Sequence, residues 1–240
     1  AKNTSTVEYG FLEHCLREDL NEHAQRAMAV LRPIKLTITN YPEGQSETFE
    51  VENNPNDPEA GTRPVTFSRN LYVESDDFLE TPIPKYKRLY PDGPECRLKG
   101  AYLIKCTGCV KDEQGNVVEI LATYDPDSKG GNPADGRKVK GATIHWVDAE
   151  TAVDAQVRLY DNLFADENPD GGDKNFLDCL NPGSLEVLEG CKLEASLANA
   201  QPSDRFQFLR LGYFCADSKD SKPGALVFNR AVSLKDGFKK

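Results

Sequence analysis

The sequence predicts a mainly β protein, with two antiparallel β-barrels in series preceded by a short helical remnant. Short runs of alternating apolar and polar residues recur at close spacing along most of the 240 residues. Turn-rich pieces containing Gly, Pro, Asp and Asn separate these runs. Many short strands joined by such turns are typical of antiparallel barrels and sandwiches. Helical spacing is clearest near the start of the chain, which adds the helical remnant.

The first predicted element is a helix over residues 11–20, where Leu12, Leu16 and Leu20 recur four apart. A helix of this length is not stable alone, so its leucines must pack against the rest of the protein. Asn21 is expected to end this helix or to cap a second helical turn that runs through Gln25. We therefore predict that residues 1–32 are the end of a helical linker subdomain.

After the helix the pattern changes to strands. Ile34, Leu36 and Ile38 alternate with polar residues, which predicts a half-buried first strand. Further strand-like runs lie at 65–67, 71–73, 96–106, 117–124, 143–147, 155–159, 185–188, 206–214 and 227–232. Two other stretches, 75–79 and 173–180, have a helical pattern.

The clearest internal boundary is the loop at 126–141, because five glycines or prolines lie between residues 130 and 141. We predict a first barrel over 33–132 and a second over 133–238. Exchange of strands between the two barrels is left open.

Composition excludes several classes of protein. No apolar run approaches the roughly 20 residues that span a bilayer, and the first residues lack an apolar signal core. We therefore expect a cytoplasmic protein without membrane contact. The formal net charge of −10 argues against a nonspecific polyanion binder, but not against a selective RNA binder with its cations on one face.

The cysteines and histidines predict neither a metal site nor a catalytic site. Seven irregularly spaced cysteines fit free thiols, and Cys106 and Cys109 have no second pair to complete a zinc site. We read this pair as part of a turn or bulge. His14 and His145 are read as structural, and the chain lacks nucleophile-elbow, phosphate-loop and metal-pair motifs. A stand-alone β-barrel enzyme is therefore poorly supported.

Basic residues cluster on strand-like segments at 85–88, 97–99 and 205–210. Arginine suits guanine because its fork matches two acceptors, and glutamine offers both a donor and an acceptor to a base edge. Sequence-specific RNA recognition uses such groups on unpaired bases. From the residues alone, a solvated surface strand and a selective RNA-binding face remain equally open.

A family resemblance separates these two interpretations. Pieces in fixed order between residues 16 and 232 resemble bacterial-type glutaminyl-tRNA synthetases. They include the segments 86–88, 97–102, 135–141, 144–147, 206–208, 212–215 and 228–230. The resemblance implies the C-terminal anticodon-binding region, with the class I nucleotide-binding signatures absent. It implies no cofactor in this chain, ATP and Mg²⁺ in the parent enzyme, and a monomer. The implied partners are the anticodon loop of glutamine tRNA and the catalytic domain of the same polypeptide.

The resemblance also implies roles for individual residues. Arg26 and Gln207 match readers of the middle uridine, with Arg210 beside them. Arg88 matches the reader of the final guanine. Arg97 and Lys87 match contacts to the first anticodon base and its phosphate. Asn21, Asn56 and Lys99 match further contacts to the RNA. Lys99 stands where the family has Arg.

Residues 133–147 have a separate interpretation. They join an Asp-Gly turn, a basic run and a strand with the only tryptophan. We read this segment as the passage between the barrels and hypothesise that its loop is mobile and faces the absent catalytic domain.

Two alternatives to this function stay open at this point. The first is the equivalent region of a eukaryotic- or archaeal-type glutamyl-tRNA synthetase, which shares the barrels. The second is a ribosomal RNA-binding β-barrel protein that acts as a structural module. The set of Arg26, Gln207 and Arg210 argues against the second, because a structural binder of duplex RNA does not need base-edge readers.

Overall fold

The computed structural model describes residues 8–169, 171–172 and 174–235. Within these residues it has one α-helix, α1 (Tyr9–His23), and sixteen strands. The strands are β1 (Gln25–Ala27), β2 (Ala29–Val30), β3 (Pro33–Ile38), β4 (Ser46–Glu52), β5 (Thr62–Ser68), β6 (Asn70–Glu74), β7 (Cys96–Leu98), β8 (Leu103–Lys111), β9 (Val117–Tyr124), β10 (Thr143–Ile144), β11 (Val147–Asp148), β12 (Val153–Tyr160), β13 (Leu185–Leu193), β14 (Arg205–Phe208), β15 (Gly212–Ala216) and β16 (Leu226–Ser233).

Two seven-stranded sheets and one hairpin form the fold. The first sheet has the order β10-β7-β8-β9-β3-β6-β11, and the second has the order β1-β14-β15-β16-β12-β13-β2. The strands β4 and β5 form a separate antiparallel hairpin. The sheets are barrel-like, one nearly closed and one a half-barrel, so the predicted fold class is confirmed. Most strand pairs are antiparallel, and each sheet also contains two parallel pairs.

The sheets exchange strands across both predicted domain bounds. β1 and β2, which precede residue 33, pair with β14 and β13 of the second sheet. β10 and β11, which follow residue 133, pair with β7 and β6 of the first sheet. The division at 32 and 132 stays a prediction for the domains, and neither sheet is a contiguous piece of chain.

Each sheet encloses its own apolar core. Trp146, Phe67 and Leu36 are fully buried in the first core, and Phe208 and Phe228 are fully buried in the second. Phe208 also stacks on Phe214 with ring centroids 4.4 Å apart. Alternation along β14 places Phe206 and Phe208 inward and leaves Arg205 exposed and Gln207 half-buried.

The helix α1 packs on the second sheet, as its length requires. Leu20 is buried against Tyr213 and Val232, with Leu16 half-buried beside them. The predicted helical turn through Gln25 is wrong, because Ala24 is already extended and Gln25 pairs with Phe206 in β1. The strand partner at this point outweighs further helix formation.

Four other predicted elements differ in detail. The run 96–106 is broken by a turn in which Gly100 adopts φ +75°, and the run 206–214 by a turn in which Arg210 adopts φ +70°. The stretches 75–79 and 173–180 form only short 3₁₀ turns, at Ser75–Asp77 and Phe176–Cys179. Residue 173 itself lies outside the described residues.

The bulge at Cys106 is observed where it was expected. The pairing of β8 with β9 shifts register between Cys106 and Gly108, and the Cys106 side chain is buried. All seven cysteines are free thiols. Burial raises the pKa of the Cys106 thiol to about 11, so this thiol is not activated.

The interpretation of 133–147 as a passage between barrels is wrong for its second half. Ile144 and Trp146 are fully buried in the core of the first sheet, and the Trp146 Nε1 donates to the Lys99 carbonyl at 3.0 Å. Large apolar side chains favour burial over a role in a linker. The Arg137 guanidinium in the first half is paired with Glu95 at 2.8 Å and Asp125 at 2.5 Å, so it too is held against the first sheet.

Two buried carboxylates, Glu194 and Glu74, connect the β4–β5 hairpin and the two sheets to the segment around β2. The Arg63 guanidinium forms a buried salt bridge with Glu194, whose carboxylate also accepts from the Met28 N–H at 2.8 Å. The Glu74 carboxylate accepts from the backbone N–H groups of Leu31 (2.8 Å) and Arg32 (3.0 Å). These carboxylates therefore bind the backbone on both sides of the segment where the chain passes from the second sheet to the first.

No described helix combines the length and the apolar character that a membrane crossing requires.

Candidate nucleic-acid interface

Two adjoining pockets lie where the sheets meet, and we call them the junction pockets. The first, of about 280 Å³, is lined by Arg26 and by Glu50 and Glu52 of the β4–β5 hairpin. The second, of about 220 Å³, is lined by His145 and Arg210 among others. Both pockets share Lys99 and Leu209 as lining residues. Sequence-predicted contact residues from both sheets therefore converge on one region.

The charges of the first junction pocket are balanced. Arg26 and Lys99 contribute two cations, and Glu50 and Glu52 contribute two carboxylates. A surface that binds a phosphate needs an excess of positive charge. This balance favours a neutral nucleobase with donors and acceptors over a phosphate group.

Arg26 lies at the end of α1 in a group that we call the Arg26 corner, which consists of Asn21, Arg26, Gln207 and Tyr213. The Arg26 Nη1 donates to the Ala24 carbonyl at 2.7 Å, and its Nη2 donates to the carbonyl and the side-chain oxygen of Asn21, at 2.8 and 3.0 Å. The side chain therefore satisfies carbonyls at the C-terminus of the helix. Burial lowers the pKa of Arg26.

The rest of the Arg26 corner is built by strand pairing. Gln207 lies opposite Arg26 in the parallel pair of β1 with β14, and opposite Tyr213 in the antiparallel pair of β14 with β15. The Tyr213 hydroxyl donates to the Asn21 side-chain oxygen at 3.4 Å, and burial raises the pKa of Tyr213. Asn56 joins from the side, since its Nδ2 donates to the Asn21 carbonyl at 3.1 Å.

The second group is the Asp77 cluster, which consists of Asp77, Arg88, His145 and Arg210. Asp77 is fully buried at the end of the 3₁₀ turn that follows β6. Its two carboxylate oxygens accept from both terminal nitrogens of Arg210, each at 2.7 Å. The Arg88 Nη1 lies 3.1 Å from Asp77 Oδ1 and donates to the Asp76 carbonyl at 3.2 Å. One carboxylate therefore contacts an arginine from each sheet region.

The backbone conformation at Arg210 and next to Arg88 places both side chains against the Asp77 carboxylate. Arg210 adopts φ +70° in the turn between β14 and β15, a left-handed conformation that is uncommon outside glycine. Leu89 is paired beside the turn, because its N–H donates to the Asp77 carbonyl at 3.0 Å. That bond fixes the position of the neighbouring Arg88.

Among the described residues, two N–H donors of Arg210 and three of Arg88 have no hydrogen-bond partner. A guanidinium has five N–H donors in a planar arrangement, so it can bind two groups on two sides. The Nε and the outer Nη2 hydrogen of Arg210 have no partner among the described residues, and the Nε and Nη2 of Arg88 have none either. The Arg210 side chain is 30% exposed and that of Arg88 is 41% exposed. This open fork matches the paired O6 and N7 acceptors of a guanine edge, and one of its donors suits a single carbonyl oxygen of uracil.

The ion pair keeps Arg210 charged although it is partly buried. Burial lowers its pKa, and the hydrogen bonds and charge of Asp77 offset this, so the pKa of Arg210 is raised above its ordinary value. His145 contacts the same guanidinium, with its Nδ1 3.3 Å from Arg210 Nη1. The His145 Nε2 lies 3.4 Å from Glu74 Oε1. The histidine therefore lies between Arg210 and the carboxylate that binds the backbone of Leu31 and Arg32.

Lys87 and Arg97 lie close together because the backbone of both residues is hydrogen-bonded to Ala142. The N–H of Ala142 donates to the Lys87 carbonyl at 2.7 Å, and the Ala142 carbonyl accepts from the Arg97 N–H at 3.0 Å. The Arg97 Nε donates to the Gly131 carbonyl at 2.8 Å, and Lys87 is exposed. Lys99 is exposed as well and lies between the two junction pockets.

Sequence reasoning missed Asp77, Glu74, Tyr213 and Leu209 as parts of this interface. Asp77 lies in an acidic turn with no motif, and its partners are distant in sequence. His145 was read as a structural histidine, and its contact with Arg210 could not be derived from its strand. No pattern in the sequence marks any of these four residues.

Comparison with known proteins supports an RNA-binding assignment for this interface. Residues 24–125 and 143–217 match two models of the anticodon-binding domains of class I tRNA synthetases of the E and Q type. The chain belongs to this family of anticodon-binding domains, as the two matches together take in well over half of it.

The curated relatives that the chain resembles are glutamine–tRNA ligases. The chain is 52% identical over 240 residues to the glutamine–tRNA ligase of Clostridium kluyveri, covering 100% of the chain and 43% of that protein. It is 53% identical over 240 residues to that of Bradyrhizobium diazoefficiens, with 100% and 42% covered. It is 54% identical over 239 residues to that of Vibrio cholerae O1 El Tor, also with 100% and 42% covered. The chain thus spans less than half the length of these relatives, and the resemblance found in the sequence is confirmed.

Proposed function

We propose that this chain recognises the anticodon loop of glutamine tRNA for a glutamine–tRNA ligase. The remainder of such an enzyme attaches glutamine to the tRNA, using ATP and Mg²⁺. The family match and the names of the relatives support this proposal. The observation that carries it is the pair of arginines of the Asp77 cluster, which are held by a buried carboxylate with their forks open.

The roles proposed for single residues combine the family resemblance with the contacts of each side chain. Arg88 presents its Nε and Nη2 to the final guanine, whose O6 and N7 match two parallel donors. Arg210 presents the same two donors to the middle uridine, together with Gln207 at the edge of the Arg26 corner. Lys87 and Arg97 flank Ala142 and serve the first base and its phosphate. The resemblance implies that Arg26 reads the middle uridine with Gln207. Because three hydrogen bonds of Arg26 go to Ala24 and Asn21, we propose instead that it supports the pocket from behind, together with Asn21.

The partners within the cell are part of the same proposal. The catalytic domain lies in the same polypeptide, and the enzyme acts in the cytoplasm as a monomer. The sequence resemblance supports these statements. Lys99, which lines both junction pockets, and Asn56 are proposed to contact the loop, and both residues are exposed.

A competition binding assay tests the proposed function. The 240-residue chain is titrated with a labelled glutamine anticodon stem-loop against unlabelled glutamine, glutamate and unrelated anticodon stem-loops. We expect the glutamine RNA to compete best, and we expect a modest fall of affinity with salt because few phosphates are neutralised. A steep salt dependence with equal competition by all RNAs would contradict anticodon reading and indicate contact with the phosphate backbone alone.

A further inference from the structure

The buried carboxylate of Asp77 contacts two cations, Arg88 and Arg210, from different regions of the chain. Asp77 Oδ1 lies 2.7 Å from Arg210 Nη2 and 3.1 Å from Arg88 Nη1, and its Oδ2 lies 2.7 Å from Arg210 Nη1. Arg88 comes from the loop before β7, and Arg210 comes from the turn between β14 and β15. The carboxylate is 1% exposed, so its charge is not screened by solvent.

This geometry fixes the orientation of both arginines. Asp77 occupies the two terminal nitrogens of Arg210 and one terminal nitrogen of Arg88. In both residues the donors that remain are the Nε and the Nη2, which lie on the same side of the guanidinium. Asp77 thereby decides which side of each arginine faces solvent. Without the carboxylate, each flexible side chain would sample several rotamers, and its free Nε and Nη2 donors would no longer point in one direction.

We propose that Asp77 is a positioning residue that couples the reading of two anticodon bases. This inference rests on the proposed function, in which Arg88 reads the final guanine and Arg210 reads the middle uridine. Both arginines contact Asp77 Oδ1. A displacement of either guanidinium therefore changes the electrostatic attraction of the other to Asp77 and the room that it has to move. The two bases are then read as a pair and not independently.

Arg210 has a second support that Arg88 lacks. The His145 Nδ1 is an acceptor 3.3 Å from Arg210 Nη1, and His145 Nε2 faces Glu74 Oε1 at 3.4 Å. His145 is 1% exposed, so it cannot move away without repacking the core of the first sheet. Loss of this histidine should therefore disturb the middle base more than the final base, whereas loss of Asp77 should disturb both bases to a similar extent.

The test compares Asp77→Asn with Asp76→Asn. Asp76 is the adjacent exposed acid, and it contacts Arg88 through its backbone carbonyl, so its variant is a matched control. Three stem-loops are used: one with a glutamine anticodon, one with the middle base changed and one with the final base changed. The measurements are the two ratios of dissociation constants between each changed RNA and the glutamine RNA.

For Asp77→Asn we expect both ratios to fall by roughly fivefold or more, a range typical of a lost bidentate base contact. For Asp76→Asn we expect both ratios to stay within about twofold of the wild-type chain, because only a backbone contact is involved. For His145→Gln the ratio for the middle base should fall more than the ratio for the final base, because His145 contacts Arg210 directly and reaches Arg88 only through Asp77. A fall in one ratio alone for Asp77→Asn, or equal weakening for all three RNAs, would overturn the coupling.

A second measurement decides the matter if Asp77→Asn does not fold, as judged by circular dichroism. The single variants Arg88→Ala and Arg210→Ala are compared with the double variant in a double-mutant cycle on the same RNAs. Coupling predicts that the double variant loses less affinity than the product of the two single losses. Losses that multiply within about twofold would show independent readers. A wild-type chain with no base preference would instead defeat the proposed function, and the coupling with it.

Discussion

The Arg26 corner and the Asp77 cluster use the same side chain in opposite ways. In the Arg26 corner, the guanidinium is buried and three of its hydrogen bonds go to Ala24 and Asn21 at the end of α1. In the Asp77 cluster, the guanidiniums of Arg88 and Arg210 are partly exposed and a carboxylate holds one side of each. The first arrangement fixes a helix to a sheet, and the second leaves donors free for a ligand.

The difference shows that the partner of an arginine decides its role. Backbone carbonyls at a helix end consume its donors and stabilise the fold. A single buried carboxylate keeps the charge in place and leaves a fork open. Residues that look equivalent in the sequence are therefore expected to fail in different assays when they are replaced.

The largest expected effect belongs to Arg26→Ala, measured as stability. Three charge-assisted hydrogen bonds are lost and the carbonyls of Asn21 and Ala24 are left without this partner, so we expect a loss on the order of 3 kcal/mol in the free energy of unfolding. Urea unfolding followed by tryptophan fluorescence measures it. Arg97→Ala, which removes one bond to the Gly131 carbonyl, is the control and should cost about 1 kcal/mol. Equal losses in both variants would remove the distinction that we draw.

Arg88→Ala should show the reverse pattern. We expect a loss of roughly 1–3 kcal/mol in affinity for a glutamine anticodon stem-loop, with relaxed discrimination at the final guanine. The free energy of unfolding should change by less than about 1 kcal/mol, because Arg210 still pairs with Asp77 and the removed side chain is partly exposed. Equal weakening for all anticodons would mean that Arg88 contacts only a phosphate.

Glu74 is separated from Arg210 by His145. The contribution of its carboxylate to the free energy of unfolding should depend on pH. Burial raises the pKa of Glu74, and the nearby His145 together with the hydrogen bonds from the N–H groups of Leu31 and Arg32 more than offset this, so the pKa lies below the ordinary value of 4.5. A carboxyl with a lowered pKa in the folded state stabilises the fold fully above pH 4.5, and this contribution is lost as the pH falls through the folded value.

The measurement for Glu74 is urea unfolding at a series of pH values below 5, on the wild-type chain and on Glu74→Gln. We expect the wild-type chain to lose more stability on acidification than the variant does, because the variant lacks the titrating group. Parallel curves for the two proteins would show that the acid sensitivity arises elsewhere.

The smallest effect is expected for Lys87→Ala. Lys87 is exposed, and no side-chain partner of it is found among the described residues, so the folded protein should keep its stability. If Lys87 contacts a phosphate, the slope of log affinity against log salt should fall by about 1 without any change in base discrimination. A change in discrimination would move Lys87 into the group of base readers.

Local pattern was sufficient to predict much of the fold. The helix is found where three leucines recur four apart, and β9 occupies Val117–Tyr124 as predicted. The breaks in 96–106 and 206–214 were not predicted, because strand-forming residues stand on both sides of each turn. A non-glycine residue with φ +70°, such as Arg210, gives no mark of its conformation in the sequence.

The site was less predictable than the fold, for a physical reason. The resemblance supplied Arg88 and Arg210 as candidates, and the structure brings them to one carboxylate. Asp77 and Arg210 are 133 positions apart, and a pairing over that distance is a property of the tertiary structure. The roles of all nine candidate residues stay predictions until the binding experiments are done.

The exchange of strands between the sheets has a consequence for synthesis on the ribosome. β1 and β2 are synthesised before their partners β14 and β13, and all strands of the first sheet lie between them in the chain. Long-range pairings of this kind are slow to form, and strands that wait for a partner expose unpaired edges. The second sheet can close only after β14 has emerged, so a nascent chain halted before that point would be a good substrate for chaperones.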